Sequence, residues 1–483
     1  MSYLLDQLDN NPLFINQSFV NGTFIASSEV QEVLNPADNK VIGNVTIVNE
    51  SLVYQAIAAS EKALKDLAKT SFIERANILI HWGVLIENNL ENLAHIITLE
   101  QGKTLKESRS EVQYALSYIR HFALIIKTNP NYFVTSNDIF KTRTVIHEPV
   151  GVTASITPWN FPIAMYIRKF AASFAASCPM LVKLSELTPF SALATLNLFL
   201  KTTAPINSLQ MLVGNAVEIG KILTQDFRIR KLSFTGSTRV GKILMNQSSG
   251  TLKRLSMELG GNAPFVVFKD ANLNKAIDML MNGKFRNNGQ SCIAINRVLI
   301  DKEIVDQFIE KIYDRIKSLK VGNGLDEQND LGALINFSAI NNIEKLIKDA
   351  KQEGATMLFG AERIGKQGCF FSPGIVTGVT PSMDIFKQEI FGPVVTITTF
   401  DNEEQVLALA NQTEYGLAAY ICGEDEGRNY NFATNLEFGM IGINDARISD
   451  SLIPFGGIKA SGFGREGGKE GIFEYLNTKY IGF

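Results

Sequence analysis

The stretch Phe234-Thr235-Gly236-Ser237-Thr238-Arg239-Val240-Gly241-Lys242-Ile243 reads FTGSTRVGKI. An apolar run, KLSFT, leads into Gly236, and a helical pattern over 239–248 follows Ser237, so the segment reads as strand, turn and helix. Gly236, Gly241 and Lys242 fit the triphosphate pattern G-x-x-x-x-G-K-[ST], but Ile243 stands where that pattern needs a hydroxyl for magnesium. Isoleucine cannot hold the ion, which argues against an ATP site. Two readings stay open. The glycines can simply relieve backbone strain in a strand–helix turn. Alternatively, a dinucleotide pyrophosphate sits at the helix N-terminus, met by free N–H groups, the positive dipole end and the Ser237 hydroxyl. The fingerprint G-x-G-x-x-G follows none of the strands, so any dinucleotide is held in a variant arrangement.

Around this stretch the same rhythm repeats. Short apolar strands, VGVTASIT, PMLVKLS, LQMLVG, KLSFTGS and APFVVF, alternate with helical patterns at 162–177, 189–201, 216–224 and 239–248. Such alternation predicts a parallel sheet wound on both faces, an α/β fold. A second series runs from about 270 to 445. Upstream, 51–128 carries apolar residues at three- and four-residue spacing and reads as helices, while 131–147 reads as a hairpin. The aromatic-rich end, FEYLNTKYIGF, suits a closing strand.

A chain of 483 residues suggests about three domains. Its hydrophobic fraction of 45% and charged fraction of 20% fit an ordinary globular protein, and a net charge of −3 gives no electrostatic reason to expect nucleic acid or an anionic membrane. No uncharged apolar run is long enough to span a bilayer; the best candidate, Ile163 to Val182, is interrupted by Arg168 and Lys169. The opening MSYLLDQLDNNPLF lacks the layout of a signal peptide. Four scattered cysteines make neither a disulfide framework nor a zinc pattern, so a reducing, cytoplasmic setting and no metal are expected.

Chemistry must come from elsewhere. The four histidines, His81, His95, His121 and His147, lie in the helical part or just after it, away from any nucleophile pattern, which disfavours a cysteine–histidine hydrolase. Cys292, in KFRNNGQSCIAINR, follows polar, turn-forming residues and is oddly placed for a core filler, although a buried structural thiol is the alternative. Cys178, Cys369 and Cys422 sit in apolar surroundings and read as core. Glu258 interrupts an apolar strand just before Gly260-Gly261; it is either a solvated strand end or a partly desolvated carboxylate usable as a base near neutral pH. Asn160, between Pro158 and Pro162, is either a helix N-cap or an amide donor to a developing oxyanion. Thiol, carboxylate and amide, without histidine or metal, suggest covalent attack on a carbonyl.

TPWNFP, FTGSTRVG, MELGGNAP, GQSC, QEIFGPV and PFGGIKASGFGREGG occur here in the order and spacing of the aldehyde dehydrogenase superfamily, which the chain resembles from about residue 150 to its end, with fitting helices before. The resemblance implies a thiohemiacetal mechanism. Cys292 resembles the nucleophile, Asn160 and the Cys292 backbone N–H the oxyanion donors, and Glu258 the base that activates the hydrolytic water. It implies NAD as cofactor, with NADP possible. Ser237 and Gly236 resemble the pyrophosphate contacts, Lys183 and Glu186 those meeting the adenosine ribose, and Glu389 and Phe391 those beside the nicotinamide ribose. Thr157, Pro158, Trp159, Ser185, Gly214 and Phe234 complete the expected cofactor set. Leu184 departs from the family's usual proline, which alters stiffness but removes no donor. Glu186 accepts from ribose hydroxyls and would repel a 2′-phosphate, which favours NAD, with Lys183 partly offsetting the repulsion.

Arg168 follows the asparagine on the next helix, and Arg286 lies six residues before Cys292, two turns back if that run is helical. Two guanidiniums near a carbonyl-attacking thiol suggest a substrate with a distal carboxylate. Both positions, with Ser449, are similar to the carboxylate contacts of the succinate-semialdehyde dehydrogenase branch, which ends the 4-aminobutyrate pathway. The resemblance therefore implies oxidation of succinate semialdehyde to succinate, with glutarate semialdehyde, one methylene longer, or a broad aldehyde range as alternatives. Some members of that branch carry a second cysteine two residues after the nucleophile; Ala294 stands there, so no regulatory disulfide at Cys292 is expected. The implied architecture is a variant Rossmann cofactor domain (1–125 and 146–258), a catalytic domain (259–457), and a small bridging β arm (126–145 and 458–483). An isolated hairpin with an exposed edge favours a homodimer or homotetramer.

Overall fold

The computed structural model describes residues 8, 11, 13–128, 131–133 and 143–482, so most of the opening segment read for a signal peptide lies outside the described residues. The periodicity of 51–128 becomes four helices: α1 (Glu50–Leu67), α2 (Phe72–Glu87), α3 (Leu90–Gln101) and α4 (Leu105–Ile125). Their ends follow local chemistry. Asn49 accepts from the Leu52 amide, Ser71 and Glu74 form a reciprocal capping box, Thr104 accepts from Glu107, and Gly102 closes α3 at φ +92°.

Beyond them run β1 (Val152–Ile156), α5 (Ala164–Ala175), β2 (Met180–Lys183), α6 (Phe190–Phe199), β3 (Leu209–Leu212), α7 (Ala216–Gln225), β4 (Ile229–Thr235), α8 (Thr238–Ser248) and β5 (Arg254–Glu258). The helix expected from 162 starts two residues later, at Ala164, with Ile163 as its N-cap. The five strands lie in the order β3-β2-β1-β4-β5 with parallel neighbours. β1 to β3 are buried nearly throughout, as strands covered on both faces must be. Antiparallel pairs close both edges: Phe19–Val20 beside β3 and Gly462–Phe463 beside β5.

Trp82 ties the helical layer to this sheet. Its indole donates to the Thr195 carbonyl at 2.9 Å, and its rings meet Phe170 and Phe199 edge-on at 5.6 and 5.2 Å. Truncating so buried an aromatic costs about 3–5 kcal/mol.

The second series supplies β6 (Ala263–Val267), α9 (Leu273–Phe285), β7 (Ile295–Asp301), β8 (Gly374–Thr377), β9 (Val394–Phe400), β10 (Ala418–Cys422) and β11 (Met440–Ile443). They form a sheet in the order β8-β9-β7-β6-β10-β11, parallel throughout, with Thr356–Gly360 antiparallel at the β8 edge. A third, small sheet pairs Leu476–Gly482 with Arg143–Pro149, in register from Leu476↔Pro149 to Gly482↔Arg143, and then with Tyr132–Phe133. This is the closing strand and part of the hairpin read at 131–147; residues 134–142 lie outside the described residues. Among the described residues no helix is long and apolar enough to cross a membrane.

Candidate active site

In the first sheet β1, first in chain order, lies in the middle: β2 and β3 extend to one side, β4 and β5 to the other. Such a reversal opens a crevice beyond the carboxyl ends of β1 and β4. Thr157 to Asn160 leave β1 there, and Gly236 and Ser237 leave β4. A cavity of about 250 Å³ occupies the crevice. It brings together Pro158, Trp159, Asn160, Arg168, Gly236, Ser237, Arg286, Cys292, Glu389, Phe391 and Ser449 from the residues singled out by sequence. Thr157, Lys183, Ser185, Glu186, Gly214, Phe234 and Glu258 are not among its lining residues.

Gly236 follows β4 because nothing larger fits: a Cβ there would stand 2.5 Å from the Phe234 ring. Ser237 caps α8 by accepting from Val240 N at 3.4 Å, so the helix opens directly onto the cavity. Further along the carboxyl edge, Lys183 ends β2 and donates to Glu186 at 2.7 Å, and Ser185 accepts from Leu187 N at 3.2 Å. Burial opposes ionisation of Glu186, but the Lys183 charge outweighs it and holds the carboxyl below its ordinary range. Gly214, just past β3, adopts φ +154° with the Val48 carbonyl 3.0 Å from where a Cβ would be. Across the cavity, Glu389 accepts from Gly261 N at 3.1 Å, and burial pushes its carboxyl up to about 8. Phe391, at φ +54°, sets its ring edge-on to Trp159 at 5.7 Å.

Asn160 does not cap α5. The N-cap position is Ile163, and the first helical amides are met instead from α4, where Glu111 accepts from Ile163 N (2.9 Å) and Ala164 N (3.2 Å). The Asn160 backbone is pinned: Lys103 Nζ and Asn287 Nδ2 donate to its carbonyl at 2.8 and 2.9 Å, and Lys103 also pairs with Glu111 at 2.7 Å. The Asn160 amide donates one hydrogen to the Gln290 carbonyl at 3.0 Å, and its second N–H makes no hydrogen bond among the described residues.

Cys292 is half-buried at the turn entering β7. Burial, and after it the neighbouring Glu389 charge, push its thiol up to about 12. The run from Arg286 to Cys292 is not helical: Asn287, Asn288 and Gly289 take φ +50°, +55° and +73° in succession. Gly289 is required there, since a Cβ would lie 2.3 Å from the Gly392 carbonyl. Gly261 likewise abuts the Cys292 loop: a Cβ there would lie 2.0 Å from the Cys292 carbonyl oxygen.

Glu258, at the end of β5, is buried and outside the cavity lining, and neither carboxyl oxygen makes a hydrogen bond among the described residues. Burial, reinforced by the Glu466 charge, raises its pKa well above the ordinary carboxylate range, with Arg168 and Lys169 only partly opposing. Those two cations sit on α5, a helix buried on every side, and both pair with Glu466. Burial also works against ionisation of Glu466, but Arg168 and Lys169 outweigh it and hold the carboxyl low. Arg168 Nη1 and Nη2 nevertheless make no hydrogen bond among the described residues, although the side chain is only 1% exposed. The Phe455 ring covers the guanidinium at 4.5 Å.

Arg286 forms no ion pair among the described residues; its guanidinium lies over Phe161 and Tyr114 at 5.0 and 5.6 Å. Ser449 meets the Tyr114 hydroxyl at 2.5 Å. Tyr114, Glu466, Lys103 and Glu111 were not singled out from sequence. Tyr114 fits the apolar stripe of α4, and Lys103 and Glu111 read as ordinary helix polarity. Glu466 carried a signal, an acid inside a glycine-rich run that abuts the β5 edge.

The arrangement offers a thiol, an amide donor, a desolvated carboxylate and a helix-terminus crevice, which together suit covalent chemistry on a carbonyl beside a dinucleotide. The model of the aldehyde dehydrogenase family matches residues 24–481. The chain is 41% identical to an aspartate-semialdehyde dehydrogenase (non-phosphorylating) of Halomonas elongata, over 99% of this chain and 97% of that protein. It is 42% identical to a glutarate-semialdehyde dehydrogenase of Pseudomonas putida, over 98% and 99%. The crystal structure of a succinate-semialdehyde dehydrogenase from Burkholderia pseudomallei superposes with a TM-score of 0.97 at 42% identity, covering 98% of this chain and 99% of that one. The two sheets, the crevice and these matches have one reading: the chain belongs to the aldehyde dehydrogenase family, which oxidises aldehydes with NAD(P).

Proposed function

We propose that the chain oxidises succinate semialdehyde to succinate, with NAD preferred to NADP. The observation that carries the substrate assignment is Arg168: a buried guanidinium lining the cavity, with two Nη groups that no atom of the described residues satisfies. Buried donors call for an acceptor, and a carboxylate matches guanidinium in both charge and shape. Arg286, free of any ion pair among the described residues, and Ser449 line the same cavity. Three similar proteins named for different semialdehydes support the class. Glutarate semialdehyde is the close alternative, because one methylene is worth only about 1–3 kcal/mol in a pocket.

In this reading the Cys292 thiolate adds to the aldehyde carbon, while the spare Asn160 N–H and the Cys292 backbone N–H hold the oxyanion. A bound oxidised nicotinamide supplies the hydride acceptor. Glu258 then takes a proton from water, which attacks the resulting thioester and frees the acid and the thiol. Overall, aldehyde, NAD⁺ and water give carboxylate, NADH and two protons. Glu258 must swing from its buried position to reach that water. Gly236 and the α8 terminus suit the pyrophosphate, Lys183, Ser185 and Glu186 one ribose, Glu389 and Phe391 the other, with Thr157 to Trp159, Gly214 and Phe234 shaping the crevice. An ionised Glu186 disfavours a 2′-phosphate.

The division into a cofactor domain, a catalytic domain and a bridging arm belongs to the same proposal, with the small antiparallel sheet as the contact of a homodimer or homotetramer. Light scattering measures that state. For the activity, the decisive experiment follows nicotinamide absorbance with succinate semialdehyde, glutarate semialdehyde and butyraldehyde, using NAD and NADP in turn. Equal kcat/KM for butyraldehyde and succinate semialdehyde refutes the substrate assignment. Arg168→Ala and Arg286→Ala are each expected to lower kcat/KM for the charged substrate by at least about thirtyfold, the scale of an unpaired buried charge.

A further inference from the structure

Ser449, Arg286 and the interior of α4 meet at one side chain, Tyr114, which lines the cavity. Its ring lies under the Arg286 guanidinium at 5.6 Å, inside the range at which a cation is drawn to an aromatic face. Its hydroxyl is 2.5 Å from Ser449 Oγ on one side and 2.8 Å from the Tyr118 hydroxyl on the other. Tyr118 is fully buried, and its ring braces Tyr114 edge-on at 5.1 Å. The three hydroxyls form a chain that starts in the core and ends at the cavity.

Each hydroxyl has one hydrogen to give, so the direction of the chain matters. If Tyr118 donates to Tyr114 and Tyr114 donates to Ser449, the Ser449 hydrogen is left for a ligand. In the opposite direction Ser449 spends its hydrogen on Tyr114 and presents only lone pairs, which repel an anion. A carboxylate in the cavity selects the first direction, and successive bonds polarise one another toward it.

Resting on the reading of the substrate as a semialdehyde with a distal carboxylate, we propose that Tyr114 is a positioning residue for that carboxylate. It aims the Ser449 hydroxyl as a donor and seats the Arg286 guanidinium against its ring. Specificity for the anion is thereby wired to the α4 interior through Tyr118, and Tyr114 need not touch the reacting carbon.

The test is the ratio of KM for succinate semialdehyde to KM for butyraldehyde, at saturating NAD. Tyr114→Phe keeps the ring and removes the relay; the ratio is expected to rise about tenfold, the scale of a lost hydrogen bond to a charged group. Ser449→Ala should raise it similarly, and the double variant should be no worse than Ser449→Ala alone, because the two act through one bond. If Tyr114→Phe fails to fold, Tyr118→Phe, which breaks the far link, is expected to raise the same ratio. An unchanged ratio, or additive effects in the double variant, overturns the role of Tyr114 while the substrate assignment stands. A wild-type enzyme without preference for the charged aldehyde overturns both.

Discussion

Asn160 donates to the carbonyl of Gln290 at 3.0 Å, joining the turn that leaves the first sheet to the loop that carries Cys292 two residues later. One amide group thus ties the two segments together at the cavity wall: its bond to Gln290 holds the orientation of a side chain that lines the cavity. Asn160→Ala is expected to lower kcat by about 10²–10³, the usual loss for an oxyanion donor. Asn160→Asp keeps the shape but lacks the N–H and should be no better. Steady-state kinetics alongside thermal unfolding separates lost chemistry from lost packing.

The raised pKa of Glu258 fixes the sign of a pH effect. As a base the carboxyl must be ionised, and burial beside Glu466 holds its proton to higher pH than an ordinary carboxylate. Hydrolysis of the thioester is therefore expected to accelerate as pH rises, with its acid limb displaced well above the 4.5 of an ordinary carboxylate. Glu258→Gln removes the limb and the hydrolysis together. Rapid mixing should then show a burst of about one equivalent of reduced cofactor per site, followed by near silence. Multiple turnovers at the original rate would exclude Glu258 as the base.

The resting thiol should be sluggish. With its pKa pushed up to about 12, Cys292 in the cofactor-free protein holds little thiolate at pH 7, and its alkylation by iodoacetamide should climb with every unit of pH toward that value. Peptide mass mapping reads the rate at each cysteine. The same mapping after peroxide should find no disulfide involving Cys292, since Ala294 offers no partner and Cys178, Cys369 and Cys422 are buried.

Lys103 and Glu111 form a buried pair whose remaining donors and acceptors hold the Asn160 turn and the first amides of α5. Removing one partner strands the other charge. Lys103→Met is expected to destabilise the fold by about 3–5 kcal/mol, and adding Glu111→Leu should recover part of that loss. Denaturant unfolding measures both.

The parallel, doubly wound sheets were readable because strands and helices alternate cleanly from residue 150, and the strands are apolar throughout. Cys292, Asn160 and Glu258 stood out as polar residues at the ends of apolar elements. What the sequence hid were contacts across long separations. Glu466 reaches α5 from almost 300 residues away. The charge of Arg168 reads as an isolated arginine until that carboxyl is placed beside it. Tyr114 was hidden because an aromatic on an amphipathic helix looks like core. The path from Arg286 to Cys292 was misjudged as a possible helix, since left-handed asparagines before a glycine leave little trace in composition.

Gly261 carries a consequence of its own. The hydrogen it bears in place of a side chain lets the segment leaving Glu258 pass directly against the peptide of Cys292. Even a methyl group would wedge these backbones apart and push the Cys292 peptide away from the segment that follows Glu258. The spacing between the segment that follows Glu258 and the loop of Cys292 is in this sense gauged by the smallest residue in the protein.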